Sequence, residues 1–232
     1  SQARRLATPA WARIFWRRSW PWMPEAFGLA ALFRAFGAIN PSIYRRMTRK
    51  EIMDIQTRIR TPVDGFWGPK SIAAAQNYLL SLMPIPNPWP DTSQASLTAF
   101  YGIPGDESQH TLLDVRGMGV KYEGRAVKEI RCHRKVADSL GRIIAKLSKR
   151  FPEVLADYAG CYNNRPMRGG STPSLHARAA AIDFMPDENG NKTAWPAVAK
   201  MPFEVMEIFA VEGWIAAGAF WGRDAMHFQA TR

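Results

Sequence analysis

The sequence predicts an α+β protein: a small antiparallel sheet flanked by helices, with a small all-α module ahead of it. Three observations carry that expectation. Val136, Leu140, Ile143, Ile144 and Leu147 fall at i, i+4, i+7, i+8 and i+11, the apolar stripe of a packed helix. Short extended stretches are expected at Ala180 to Phe184 and Ala225 to Gln229. Between the two parts, Met83-Pro84-Ile85-Pro86-Asn87-Pro88-Trp89-Pro90 alternates four prolines, which stiffen a chain toward an extended linker.

Taken in order, residues 1–46 form a basic arm rich in Arg and Trp (Trp11, Trp16, Trp20, Trp22), in which Pro9, Pro21, Pro24 and Pro41 prevent one continuous helix. No secretory signal is recognisable there, because Trp and Arg alternate where an apolar core would be needed. The arm is expected either to dock on an interface or partner or to be a basic tail. Residues 47–83 are expected to form the helical module. Thr48 can cap a helix with Glu51 three residues on, Ile52, Ile55 and Ile59 recur at helical spacing, Asp64-Gly65 marks a turn, and Ser71 to Leu82 reads as a second helix. Residues 84–92 are the Pro-rich linker, and 93–232 the second domain. Within it, one helix is expected over roughly Gly124 to Lys149 and another ending near Gly213, after Val205, Ile208 and Phe209.

Composition narrows the classes. A chain of 232 residues, 47% hydrophobic and 22% charged, can bury one sizeable core and a smaller second one. The longest apolar run, around Phe27 to Phe36, is broken by Arg34 and falls short of the ~20 residues a bilayer span needs, so no transmembrane segment is expected. Cys132 and Cys161 lie in no CxxC arrangement and read as buried thiols. Of the net charge of +11, most sits in residues 1–50, where ten Arg and Lys face a single acid, Glu25. Such a segment can contact any polyanion. No nucleic-acid recognition element accompanies it, so no specific nucleic acid is expected as a partner.

The chemistry concentrates in Ser174-Leu175-His176-Ala177-Arg178-Ala179-Ala180-Ala181-Ile182-Asp183 and, downstream, Asp224-Ala225-Met226-His227. Zinc prefers His nitrogen and carboxylate oxygen, and a catalytic zinc keeps three protein ligands and an open position for water. His176, Asp183 and His227 supply that count. Hydrolysis also needs a base beside the water, and Asp224 lies three residues before His227. Residues i and i+3 of a straight strand face opposite ways, so Trp221 to Asp224 must turn for both groups to converge. His110 and His133, without such company, read as structural. Trp221 either lines a groove or packs, and Phe220 is expected to pack.

Two resemblances follow from these strings. Val63-Asp64-Gly65-Phe66-Trp67-Gly68-Pro69-Lys70-Ser71, with Ile55-Gln56 before it and Ala74-Ala75 after, resembles the DGxxGxxT signature of the peptidoglycan-binding helical module of many wall hydrolases, with Ser71 in place of Thr. That likeness implies wall binding through Asp64, Gly65, Phe66 and Trp67. The second string resembles SxHxxGxAxD followed by DxxH, the signature of the zinc D-Ala-D-Ala carboxypeptidase and L-Ala-D-Glu endopeptidase family (peptidase family M15), which includes many phage endolysins. Ala179 stands where that family usually has Gly.

The likeness implies zinc ligands His176, Asp183 and His227, Asp224 as base, and Arg165 of Tyr162-Asn163-Asn164-Arg165 as the group polarising the scissile carbonyl, with Arg168 as the alternative. Ser174 and Trp221 are candidate substrate-binding residues. The expected activity is hydrolysis of peptide bonds in peptidoglycan stem peptides or cross-links, in the periplasm or cell wall, by a phage or prophage enzyme released at lysis or carried in a particle. The alternative is a structural virion or envelope-docking protein that retains the peptidase domain and contacts other virion or envelope proteins through residues 1–46.

Overall fold

Thr48 opens the first helix as its spacing predicts, its hydroxyl accepting from the Glu51 amide while the Glu51 carboxylate takes the Thr48 N–H. The structure is a computed structural model that describes residues 47–232; the arm expected over 1–46 lies outside the described residues. Helix α1 (Arg49–Arg58) buries Ile55 and Gln56, and α2 (Pro69–Leu82), with Pro69 in its first turn, buries Ser71, Ala75 and Leu79. Gln56 organises the loop between them. Its amide nitrogen faces Asp64 Oδ1, the Phe66 carbonyl and Ser71 Oγ at 2.8, 2.9 and 3.0 Å, and its oxygen accepts from Gly65 N at 2.8 Å. Gly65 sits at φ +71°, and a Cβ there would come within 2.4 Å of Arg49 Cγ, so both conformation and space call for glycine.

The chain continues through α3 (Gln94–Tyr101) into strand β1 (His110–Asp114), which pairs antiparallel with β4 (Glu129–His133); β2 (Lys121–Tyr122) and β3 (Arg125–Ala126) form a small hairpin between them. The helix expected from Gly124 starts only at Ala137. Residues 129–133 alternate instead, with Ile130 and Cys132 buried and Glu129 and Arg131 exposed, a period of two that suits a half-buried strand. Helix α4 (Ala137–Arg150) then buries Leu140, Ile143, Ile144 and Leu147, four of the five residues of the expected stripe, and the fifth, Val136, is its buried N-cap residue.

After α5 (Pro152–Leu155) comes the principal sheet: β5 (Tyr158–Gly160), β6 (Ala181–Phe184), β7 (Ile215–Ala216) and β8 (His227–Gln229), all antiparallel and ordered β5-β6-β8-β7. Helices α6 (Pro186–Asn189), α7 (Phe203–Val211) and α8 (Ala217–Trp221) fill the connections. The chain leaves α7 through Gly213 at φ +80°, close to where the sequence predicts the stop. One sheet face packs on the helices: Phe228 stacks on Phe209 with centroids 3.9 Å apart, and Phe184 and Trp214 complete the aromatic core. The molecule is thus α+β with small antiparallel sheets.

Helices α1 and α2 share surface with α7. Arg58 pairs with Glu207 at 2.6 Å, Tyr78 OH donates to the same carboxylate at 2.9 Å, and Trp67 meets Trp195 edge-on at 5.2 Å. The Pro-rich stretch is tied down as well. Trp89 Nε1 donates to the Glu212 carbonyl at 2.8 Å and Asn87 Nδ2 to the Gly213 carbonyl at 3.0 Å, serving carbonyls that the end of α7 leaves open. Among the described residues no helix is long and apolar enough to cross a membrane.

Gln56→Ala would strand the buried groups that its amide serves, at a cost of about 2–3 kcal/mol. A urea midpoint lowered accordingly, with an unchanged slope, is the expected outcome; an unshifted midpoint would show that water replaces the amide.

Candidate metal centre

His176 lies in a one-turn 3-10 helix, Leu175–Arg178, between β5 and β6. Ser174 caps that turn, its Oγ accepting from His176 N at 3.3 Å, and so sets the ring's direction. Ala179 ends it in the left-handed region (φ 52°, ψ 33°), its N–H bonded to the His176 carbonyl at 3.0 Å. The family's usual glycine at this position therefore has a physical reason, and this chain holds a methyl-bearing residue in a glycine conformation.

Strand β6 then carries Asp183, whose register partner on β8 is His227. Because side chains alternate along a strand, Asp183 and His227 leave one face together, while Ile182 and Phe228 turn to the core. The turn demanded before His227 is present: Gly222 and Asp224 both adopt positive φ (69° and 59°), and His227 N bonds back to the Asp224 carbonyl at 2.9 Å.

Three donor atoms meet here. His227 Nδ1 and Asp183 Oδ1 are 2.9 Å apart, His176 Nε2 and Asp183 Oδ1 3.2 Å, and the two imidazole nitrogens 3.2 Å. Four-coordinate zinc with bonds of about 2.0–2.1 Å separates its ligand atoms by roughly 3.3–3.4 Å, so the set needs to open by only a few tenths of an ångström. The residues are 4%, 9% and 8% exposed. Each imidazole turns its other nitrogen to a fixed partner. His176 Nδ1 lies 2.9 Å from the Cys161 carbonyl, and His227 Nε2 lies 3.1 Å from Gln229 Oε1, whose own amide donates to Thr231 at 2.7 Å. With a proton on each outer nitrogen, the inner lone pairs face the cluster, the arrangement metal-binding histidines adopt. The trio can hold a metal ion, and among the described residues no other group of three His, Cys, Asp or Glu comes together in this way.

The charges are coupled. Burial pushes the Asp183 carboxyl up, but hydrogen bonds from His176 and His227 outweigh it and hold the carboxyl below the usual range. Burial pushes His227 down, whereas the hydrogen bond and charge of Asp183, aided by Asp224, leave it raised. Asp224 is half-buried, and its Oδ1 is buried without a partner. Burial raises its carboxyl; His227 opposes, Asp183 reinforces, and Arg223 and Arg168 oppose.

The remaining sequence candidates separate. Trp221 stacks on the His227 ring at 5.5 Å and 26°, yet is 45% exposed, so one face backs a donor and the rest is open. Arg168 is exposed and its charge acts on Asp224, whereas Arg165 donates to the Pro166 carbonyl at 3.1 Å. Asp64 and Gly65 are engaged by Gln56, Trp67 packs on Trp195, and Phe66 stands 70% exposed. His133 is a satisfied core residue, its Nδ1 taking the Lys135 N–H and its Nε2 facing the Tyr101 carbonyl, with burial pressing its pKa down to about 4. His110 sits edge-on to Tyr162. Both thiols are buried, and burial pushes both up, Cys132 to about 12.

Sequence reasoning missed Gln229, the Cys161 carbonyl and Arg178. Gln229 had a signal, since i+2 on a strand shares the face of His227. Arg178 is 2% exposed and donates to the Gly102 carbonyl, Gln94 and Thr98, so it fastens the His176 turn along α3.

Two outcomes are expected. The His227 pKa is raised above its ordinary 6.5, so in metal-free protein its attraction to Asp183 is complete below 6.5 and fades as pH rises through the raised value. The lowered Asp183 pKa makes the carboxylate's share complete above 3.8 and lost as pH falls toward the lowered value. Relative to Asp183→Asn, the melting temperature of metal-free protein should therefore decline as pH rises above 6.5 through the raised value, while the increment from added zinc grows, because metal and proton compete for His227. A difference that stays flat over that range would contradict the coupling. Separately, Ala179→Gly should stabilise the protein by up to about 1 kcal/mol, by relieving the left-handed strain. Unfolding midpoints of the two proteins decide it.

Residues 168–230 match the family model described as D-alanyl-D-alanine carboxypeptidase, a span that includes His176, Asp183, Asp224 and His227. No curated protein and no solved structure matches the chain. The match supports a peptidase of this family, and every donor atom of the cluster lies inside the matched segment.

Proposed function

We propose that the protein is a zinc peptidase that hydrolyses peptide bonds in the stem peptides or cross-links of bacterial peptidoglycan. The observation that carries this reading is a two-His, one-Asp cluster with a partnerless carboxylate oxygen, that of Asp224, on the residue whose carbonyl receives the His227 amide. Zinc held by His176 Nε2, Asp183 Oδ1 and His227 Nδ1 would supply Lewis acidity and acidify a water.

The chain's own residues do the rest. Asp224 accepts the proton of the attacking water at its unpartnered oxygen and returns it to the leaving amine; its raised pKa suits a group that must both take and give. An arginine from the segment between β5 and the His176 turn stabilises the carbonyl oxygen as charge develops. Arg165 is the residue assigned by resemblance, and Arg168, whose charge already acts on Asp224, is the alternative. Ser174 keeps His176 aimed, and the open side of Trp221 offers a wall for the substrate chain. Peptidoglycan is the proposed partner also of the α1–α2 pair, where Phe66 is the exposed aromatic of the signature loop. A phage or prophage lytic enzyme acting in the periplasm or wall is the setting that fits this substrate.

Purified peptidoglycan should release new peptide termini, identifiable by mass spectrometry, in the presence of zinc and not of a chelator. Absence of new termini with fully metallated protein would sink the proposal. Asp224→Asn keeps size but removes the proton acceptor, so zinc should stay bound while turnover falls by ~10² to 10⁴. Asp183→Asn should weaken the metal itself, and comparison of Arg165→Ala with Arg168→Ala, at equal zinc content, tells which arginine serves the carbonyl. Loss of zinc from Asp224→Asn would make Asp224 a ligand and not the base.

A further inference from the structure

Helix α8 has five residues, too few to stabilise itself, and the last carbonyls of any helix lack partners within it. Here they are served from outside. Gln76 of α2 places its amide nitrogen 3.2 Å from the Ala219 carbonyl and 3.3 Å from the Phe220 carbonyl. The helix is wedged on its other side too: a Cβ on Gly218 would come within 2.6 Å of Met206 Cε and 2.8 Å of Ala225 Cβ. Met206 belongs to α7, and Ala225 is the residue after Asp224. α8 is therefore held between α7, the Asp224 turn and α2, and its final residue, Trp221, is the one stacked on the donor His227.

We propose that Gln76 is a positioning residue for the metal centre, and that α1 and α2 thereby form part of the catalytic unit rather than a wall tether alone. The amide of Gln76 keeps the end of α8 closed, the closed end keeps Trp221 against His227, and the stacked indole limits the tilt of a ring whose other nitrogen is held by Gln229. An amide donor is suited to this task, because one nitrogen serves two carbonyl oxygens. The kinetic part of the test rests on the peptidase reading above; the exchange part does not.

The experiment uses the full chain with three changes. Gln76→Glu keeps the shape but sets a carboxylate against two carbonyl oxygens, Gln76→Lys returns a donor and places a cation where a helix C-terminus favours one, and Trp221→Ala removes the group acted upon. In metal-free protein, hydrogen exchange followed by mass spectrometry should quicken about tenfold over residues 217–227 in Gln76→Glu, with residues 137–150 unchanged, and return to the original rate in Gln76→Lys. With zinc bound, kcat/KM on a soluble stem peptide should fall about tenfold in Gln76→Glu, recover in Gln76→Lys, and fall no further when Gln76→Glu is added to Trp221→Ala. Unchanged exchange over 217–227 overturns the proposal, as does a loss of kcat/KM that simply adds to that of Trp221→Ala. If the unaltered protein cleaves nothing, the peptidase reading fails and the exchange result alone decides the role of Gln76.

Discussion

Asp183 is a carboxylate with 9% exposure, and an unpaired charge so placed costs several kcal/mol. Much of the local architecture answers that single cost. Strand β8 lies beside β6 in the one register that puts His227 opposite Asp183. A slip by one residue would send Phe228 to the site and His227 into the aromatic core. The turn after Ser174 folds back through a left-handed Ala179 so that a second imidazole reaches the same oxygen. Outside these, the Cys161 carbonyl and the Gln229–Thr231 pair hold the histidines' outer nitrogens. Two imidazoles that hold the carboxylate by hydrogen bonds while protonated are the same groups that could turn lone pairs toward a cation at the centre, so proton and metal would occupy one arrangement in turn.

How much of this was legible in the sequence varied with the kind of force at work. That His176, Asp183 and His227 come together was readable because metal chemistry restricts residue types to few and asks for three of them. The capping box at Thr48 and the stripe of α4 were readable because both are local. The start of α4 was misjudged by more than three turns. Residues 129–133 carry a strand's alternation, but it is revealed only by pairing with β1, a contact between segments about twenty residues apart that no local pattern announces. Carbonyl acceptors such as that of Cys161 were invisible for a plainer reason: a backbone oxygen has no residue type.

The Asp-Gly loop and the proline run show how a recognisable string can have a second physical task. Asp64 and Gly65 are tied to buried Gln56, so part of that signature is explained by the folding of the α1–α2 turn itself. In the same way, Asn87 and Trp89 lie in a stretch whose composition reads as a spacer, yet both bond to the end of α7. Proline sets the backbone direction there, while neighbouring polar hydrogens find partners. Residue composition reports the first and says nothing of the second.

Strand β8 sits inside the sheet, between β6 and β7, although it is the last of the four in the chain. During synthesis a ribosome delivers Asp183 and reaches His227 44 residues later, an interval of roughly 2–9 s at ordinary elongation speeds. Through that interval the nascent chain holds the carboxylate and one imidazole of the trio but not the last donor, and Asp224 arrives only three residues before it. The growing polypeptide thus lacks the complete donor set by order of translation, and assembly of the trio waits on the insertion of a central strand.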